Sequence, residues 1–161
     1  MIVVSDTSPV ANLILINKLD ILHILFGKII IPPAVDKEIK ALKNLNIDLD
    51  TYINSSWIAL EKPVDTDKVS ALMKMIDDGE AEAIVIAKEL KADYLLIDER
   101  KGTRLAKHEG CSTIGLVGVL IKAKEKEIIG RVMPVLDELE NVEGFWIGKD
   151  LKSFIQKLVN E

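Results

Sequence analysis

Cysteine and histidine are scarce in this chain of 161 residues, which has one cysteine, Cys111, and two histidines. One cysteine cannot form an intramolecular disulfide. A zinc site normally uses several histidine or cysteine ligands, and these three residues do not supply a typical set. No apolar run reaches the roughly 20 residues that a membrane-spanning helix needs. The first residues, MIVVSD, also lack the basic start and long apolar stretch of a secretory signal. We therefore expect a cytoplasmic protein.

The chain also lacks a net positive charge, because acidic residues outnumber basic ones. The chain has 21 basic and 26 acidic residues and a formal net charge of −5, which argues against a broad positive surface that coats nucleic acid. An enzyme that cuts phosphodiester bonds with divalent metals is still compatible with this charge, because such enzymes need clustered carboxylates.

Short apolar segments alternate with helical patterns along the whole chain. We predict strands at 2–5, 28–31, 57–60, 94–97 and 113–114, with helices between and after them. This alternation predicts a single α/β domain over residues 1–161, with a mainly parallel central sheet flanked by helices on both faces. Sheets of this kind place their functional sites at the carboxyl ends of the strands.

Two aspartates follow predicted strands. Asp6 comes after the first strand and Asp98 after the most apolar one, so both are expected at the same edge of the sheet. A turn or helix-capping role is the ordinary alternative for each.

Two glutamates interrupt the apolar faces of predicted helices. Glu38 lies three residues after Val35 on the face that continues to Ile39, and Glu80 begins the small apolar stripe of its helix. Burial of an unpaired carboxylate is costly, so either Glu38 lies at the edge of the apolar face or a positive group meets it, and a metal ion is one candidate. Glu82 and Glu99 are the second choices, and a simple preference for helix N-termini is the alternative for the glutamates on the Glu80 helix.

Carboxylates on four separate elements would meet only in an anionic pocket. Oxygen ligands without histidine or cysteine select hard cations, so Mg²⁺ or Mn²⁺ is the expected cofactor. A phosphoacceptor receiver domain and a dehalogenase-type phosphatase fit less well, because the former needs a late strand-end lysine and the latter has an aspartate where Ser8 stands.

Four sequence blocks occur in a familiar order: Ser5-Asp6-Thr7-Ser8-Pro9, then Pro32-Pro33-Ala34-Val35 followed by Glu38, then Gly79-Glu80-Ala81-Glu82-Ala83-Ile84, and Leu95-Leu96-Ile97-Asp98-Glu99-Arg100. Over residues 2–125 the chain resembles a PIN domain, and more narrowly the PIN-like prokaryotic proteins related to VapC-type toxins. It departs from the VapC-type pattern at the third acid, which is glutamate here where aspartate is usual, and at the position before the last acidic block, which is apolar instead of threonine.

The resemblance implies a metal-dependent endoribonuclease, often the toxin of a toxin–antitoxin pair. Its metal-binding acids match Asp6, Glu38, Glu80 and Asp98, and its small hydroxyl residue matches Ser8. It also implies a homodimer and a possible antitoxin partner. The helices at 130–161 lie outside the resemblance, and we expect them to complete the domain or the dimer. A catalytically idle PIN-like module that binds RNA or protein is the alternative function.

Positive charge is concentrated directly after Asp98. We predict that these side chains hold RNA phosphates beside the metal, and an ordinary solvated helix face is the alternative. The residues are Arg100, Lys101, Arg104 and Lys107.

Overall fold

Five parallel strands form the central sheet of the protein, in the order β3-β2-β1-β4-β5. The computed structural model describes residues 1–142 and 144–161. The strands are β1 (Val3–Ser5), β2 (Ile29–Ile31), β3 (Ile58–Leu60), β4 (Tyr94–Leu96) and β5 (Thr113–Ile114). All five coincide with the predicted segments to within a residue or so.

The helices of the described chain are α1 (Thr7–Leu15), α2 (Asp20–Phe26), α3 (Pro33–Ala41), α4 (Asp50–Ile53), α5 (Thr66–Leu72), α6 (Asp78–Glu89), α7 (Arg100–His108), α8 (Leu116–Glu125), α9 (Met133–Glu140) and α10 (Lys149–Leu158). A short 3-10 helix at Leu42–Leu45 extends α3. No helix in the described residues is long and apolar enough to cross a membrane.

The two faces of the sheet carry separate hydrophobic clusters. Val3 and Leu96 point into the cluster formed with α1, α2, α3, α8, α9 and α10. Val4 and Leu95 point into the opposite cluster, formed with α5, α6 and α7. Because successive strand residues face opposite sides, these short apolar strands are buried on both faces, as expected for a parallel sheet. The predicted α/β fold class is confirmed.

Strand order reverses beside β1. The chain passes from β1 outwards to β2 and β3, and then returns to place β4 on the other side of β1. Val4 of β1 therefore lies opposite both Ile30 and Leu95. Ligands of open α/β sheets bind in the crevice at such a switch point, outside the carboxyl ends of the strands. This crevice lies between the ends of β1 and β4.

The sequence pattern placed several helix ends incorrectly. The sequence predicts Thr7 or Ser8 as the cap of the first helix, with Pro9 in its first turn; the helix starts at Thr7, with Asp6 as its N-cap. The pattern also predicts a helix over 65–76, which ends at Leu72, and a polar stretch at 44–56, which contains the short helix α4. Periodicity marks the buried face of a helix better than its terminal turns, because those turns are often polar and exposed.

Glu161 ties the last helix to the turn before α9. Its side chain is 4% exposed and accepts hydrogen bonds from Lys124 Nζ at 2.8 Å and from the backbone N–H groups of Val132 and Met133 at 2.8 and 3.0 Å. Burial opposes the charge of this carboxylate, but these hydrogen bonds outweigh burial and lower the pKa of Glu161 to about 2. Glu161 thus holds α8, α9 and the end of α10 together.

We predict that Glu161→Ala destabilises the protein by about 2 kcal/mol, because two backbone N–H groups and a lysine lose their acceptor. The melting temperature should fall by roughly 4–8 °C. Glu125→Ala is the matched control, since Glu125 is exposed on α8. Thermal melts measure this difference. Melting temperatures that fall equally for both variants would contradict the role assigned to Glu161.

Candidate metal centre

Asp6 and Asp98 stand at the two sides of the switch point. Asp6 directly follows β1 and is only 4% exposed, and its backbone N–H donates to the carbonyl of Leu96 at 2.9 Å. Asp98 lies at the exposed rim of the crevice. Its Oδ1 accepts the backbone N–H of Leu116 at 2.8 Å, so one of its oxygens caps α8.

Glu38 reaches the same edge of the sheet from α3. Its Oε2 accepts a hydrogen bond from the Thr7 hydroxyl at 2.6 Å. A Cβ atom on Gly79 would lie 2.9 Å from Glu38 Oε1. Glycine at position 79 therefore allows the start of α6 to approach this carboxylate closely. Thr7, which the sequence reasoning did not single out, positions Glu38.

Glu80 enters the crevice from α6 and is 8% exposed. Its Oε2 is buried and has no hydrogen-bond partner among the residues that the structure describes. Any side chain at position 102 would collide with this oxygen, so the absence of a Cβ on Gly102 leaves the space that Glu80 occupies. An unpaired buried carboxylate oxygen is costly in a folded protein, and a bound cation would supply the missing partner.

Asp77 is a central acid that the sequence reasoning missed. Its carboxylate caps α6 by accepting the backbone N–H of Glu80 at 2.8 Å, and it raises the pKa values of Asp6, Glu38 and Glu80. One oxygen each from Glu38, Asp77 and Asp78 lies within 4.8 Å of the others. The available sequence signal is the acidic run Asp77-Asp78 before the glutamate helix, but such a run also fits an ordinary break before a helix.

Burial and mutual repulsion disfavour the ionised forms of these acids. Desolvation raises the pKa of Asp6 to about 7; the backbone N–H of Thr7 opposes this rise, and the carboxylates of Asp77, Glu38 and Asp98 add to it. Desolvation likewise raises the pKa of Glu80 to about 8, with further contributions from Asp77 and Asp6. Asp6 is therefore coupled to all three of the other predicted acids.

Asp36 shows what a buried acid with a structural role looks like in this protein. It accepts a hydrogen bond from the Tyr52 hydroxyl at 2.6 Å and pairs with Lys40 at 2.9 Å. In the described part of the chain, no lysine or arginine forms an ion pair with Asp6, Glu38 or Glu80. The crevice thus gathers negative charge without a protein cation to balance it.

The second-choice acids occupy the margin of the crevice. Glu82 Oε2 accepts the backbone N–H of Ala34 at 2.9 Å, so it stabilises the start of α3 and is less free than Glu80. Glu99 is exposed at the N-terminus of α7 and contributes to the raised pKa of Glu80. Ser8 is exposed on α1 and lines a cavity together with Asp98 and Glu99.

The predicted basic residues lie on α7, which begins directly after the crevice. All four side chains are exposed, whereas Gly102 and Ala106 form the buried side of the helix. The basic face therefore starts beside Asp98 and Glu99 and runs away from the acids. The exposed residues are Arg100, Lys101, Arg104 and Lys107.

The donor set fits a divalent cation. It consists of carboxylate oxygens, which suit Mg²⁺ and Mn²⁺, and it includes a buried oxygen without a partner, that of Glu80. Helix α1 begins directly after Asp6, α6 at Asp78 and α8 at Leu116, so helix N-termini partly offset the negative charge. They supply no full positive charge, which a metal ion would.

Comparison with known proteins identifies the family. The DUF3368 family model, which describes a PIN domain, matches residues 2–161. The chain therefore belongs to the PIN-domain family, whose members are typically metal-dependent nucleases. The match extends through the last helices, beyond residue 125 where the resemblance read from sequence ended. Searches of curated proteins and of solved structures gave no match to this chain.

We predict that the metal-free protein loses stability as the pH rises from about 4 to 8. The pKa values of Asp6 and Glu80 are raised to about 7 and about 8 in the folded protein, so over this range the folded state binds more protons than the unfolded chain. The free energy of unfolding then decreases with pH. We expect a loss of about 1–3 kcal/mol between pH 5 and 8 in EDTA.

Chemical denaturation at both pH values measures this difference. Saturating Mg²⁺ should remove most of the loss, because a bound ion favours the ionised carboxylates. A metal-free protein that is equally stable at pH 5 and pH 8 would contradict the assigned coupling among the acids.

Proposed function

We propose that this PIN-domain protein is a metal-dependent endoribonuclease that hydrolyses RNA phosphodiester bonds. The observation that carries the proposal is the unbalanced acidic crevice at the switch point, with the unpartnered Oε2 of Glu80 inside it. Asp6, Glu38, Glu80 and Asp98 are the proposed metal-binding residues, and Asp77 joins them because its negative charge raises the pKa values of the first three.

The chain supplies acceptors and positioning for this chemistry. Mg²⁺ or Mn²⁺, when bound, would activate water and neutralise charge that develops on the scissile phosphate. The Thr7 hydroxyl fixes the orientation of Glu38, and Leu116 N–H fixes one oxygen of Asp98, which leaves its second oxygen available. Ser8 lies at the mouth of the crevice, where its hydroxyl can donate to a phosphate oxygen or a water.

RNA as the substrate is supported by the family resemblance and by the position of the basic face of α7. Arg100 and Lys101 are the first residues of the helix that follows Glu99, so a phosphate chain leaving the crevice would meet them first. Phosphate contacts of this kind hold the backbone without reading sequence. Preference for ribose over deoxyribose would need contacts with the 2′-hydroxyl.

A toxin role, an antitoxin partner and a homodimer belong to the same proposal. The first two rest on the likeness to VapC-type proteins. A dimer is supported by Phe154 and Leu158 on α10, which remain 62% and 56% exposed while Ile155 and Val159 of the same segment pack into the core. Exposed apolar side chains one helical turn apart are typical of a surface that a partner covers.

Cleavage should depend on the divalent ion and on the crevice acids. We expect RNA cleavage with Mg²⁺ or Mn²⁺, none in EDTA, and a fall in kcat of at least about 100-fold for Glu80→Gln, because loss of a metal-binding carboxylate removes transition-state stabilisation. Asp77→Asn should have a similar effect.

Asp93→Asn is the matched control for the cleavage assay, since Asp93 accepts the backbone N–H of Ile2 at 2.6 Å at the opposite end of β4. Its kcat should be unchanged. Cleavage that persists undiminished in EDTA would remove the mechanism, whereas binding of RNA without any cleavage would favour the idle-module alternative.

The substitution Asp98→Asn tests whether Asp98 binds the metal ion or only caps α8. Asparagine keeps the acceptor for Leu116 N–H but removes one charge from the crevice. In EDTA we expect the variant to be more stable than wild type by about 1 kcal/mol, or roughly 2–4 °C. Mg²⁺ should reverse the order, because only wild type gains the full binding free energy.

Thermal melts of wild type, Asp98→Asn and Asp93→Asn, each with and without Mg²⁺, test this prediction. Asp93→Asn should respond to Mg²⁺ as wild type does. If Asp98→Asn and wild type keep the same difference in melting temperature with and without Mg²⁺, Asp98 is only a cap.

A further inference from the structure

A cavity with a polar side and an apolar side adjoins the acidic crevice. It has a volume of about 380 Å³, and Ser8, Asp98 and Glu99 line one side of it. Its other side comes from the segment before α10 and from the first turn of that helix, with Phe145, Trp146 and Leu151. A ligand that reaches the acids can therefore also touch this wall.

Trp146 is the most unusual residue of the wall. Its side chain is 85% exposed, although tryptophan is among the most buried residue types on average. One edge of the indole lies beside Gly148, where a Cβ atom would be in ordinary van der Waals contact, 3.4 Å from Cη2. The rest of the ring is open to solvent beside the cavity.

The charge of the crevice limits what can bind here. A nucleic acid brings phosphates towards several carboxylates on a protein of net charge −5, so electrostatic attraction away from α7 is weak. An aromatic ring attracts a nucleobase without any charge, and one stacked base contributes about 1–3 kcal/mol. Bases of a duplex are already paired and stacked, so they would first have to be extruded.

We propose that Trp146 and the adjoining cavity form a subsite for one unpaired nucleobase of a single-stranded nucleic acid. This inference rests on the proposed function, because it assumes that the neighbouring phosphate lies at the acids. The indole stacks on the base, and the other apolar side chains of the wall cover its edge. The subsite selects single-stranded over duplex substrate.

Tryptophan fluorescence tests the subsite directly. Trp57 is the other tryptophan, half-buried and stacked on His23, so Trp57→Phe leaves Trp146 as the sole reporter. Glu38→Gln is added to prevent cleavage. In Mg²⁺, an eight-nucleotide oligoadenylate should quench the fluorescence of Trp146 saturably. Inorganic polyphosphate of equal charge should not quench it, and a duplex of the same length should quench it less. Equal quenching by polyphosphate, or none by oligoadenylate, overturns the proposal.

Binding and cleavage by single-site variants provide the second measurement. Trp146→Ala should raise the Kd for the oligonucleotide and the KM for cleavage by roughly 5- to 150-fold, which corresponds to one lost stack, and Trp146→Phe should restore most of the loss. Ile24→Ala is the matched control, because Ile24 is an exposed apolar residue on α2 outside the cavity. Its KM should stay unchanged.

The remaining outcomes separate this inference from the proposed function. If oligoadenylate quenches Trp146 but wild type cleaves no RNA, the subsite stands and the nuclease function is rejected. If wild type cleaves RNA without quenching of Trp146, and Trp146→Ala has a normal KM, the nuclease function stands and the subsite is rejected. Two results together would identify a contact between copies of the chain and overturn the subsite. Trp146 emission would shift to shorter wavelength when the protein alone is concentrated, and Trp146→Ala and Phe154→Ala would weaken oligonucleotide binding equally.

Discussion

Repulsion among carboxylates at the switch point of the sheet is the interaction on which the site depends. Asp6 and Glu80 are buried near Asp77, and among the described residues no lysine or arginine forms an ion pair with either of them. A fold tolerates such a cluster only when the rest of the structure is stable enough to offset it. The two hydrophobic clusters on either side of the sheet provide that stability.

Close packing of helix starts keeps the carboxylates in place. Glycine at 79 and 102 lets α6 and α7 approach Glu38 and Glu80, and the hydroxyl of Thr7 holds Glu38 from a third element. Glu38 is thus fixed by Thr7, and Asp98 by the backbone N–H of Leu116, each from another part of the chain. This is the preorganisation that a metal site needs, because ligands that are already positioned lose less entropy when the ion binds.

The sequence predicted the fold well because its strands are short apolar segments bounded by turn residues. It also indicated Asp6 and Glu80 as buried acids, since each interrupts an apolar pattern. It did not reveal Asp77, because an aspartate before a helix has an ordinary capping role, and Asp77 does cap α6. Nor did it reveal Thr7 or Trp146, whose importance depends on which distant segments lie beside them. Spatial neighbours of that kind are not encoded in periodicity.

Anomalous scattering from a crystal grown with Mn²⁺ shows whether the crevice binds a divalent ion. We expect a Mn²⁺ peak in the crevice, with carboxylate oxygens of Asp6, Asp77 or Glu80 among its ligands, and loss of that peak in Glu80→Gln. A crystal saturated with Mn²⁺ that shows no peak in the crevice, or one only on the exposed side of Asp78, would contradict the assignment of the crevice as the metal centre.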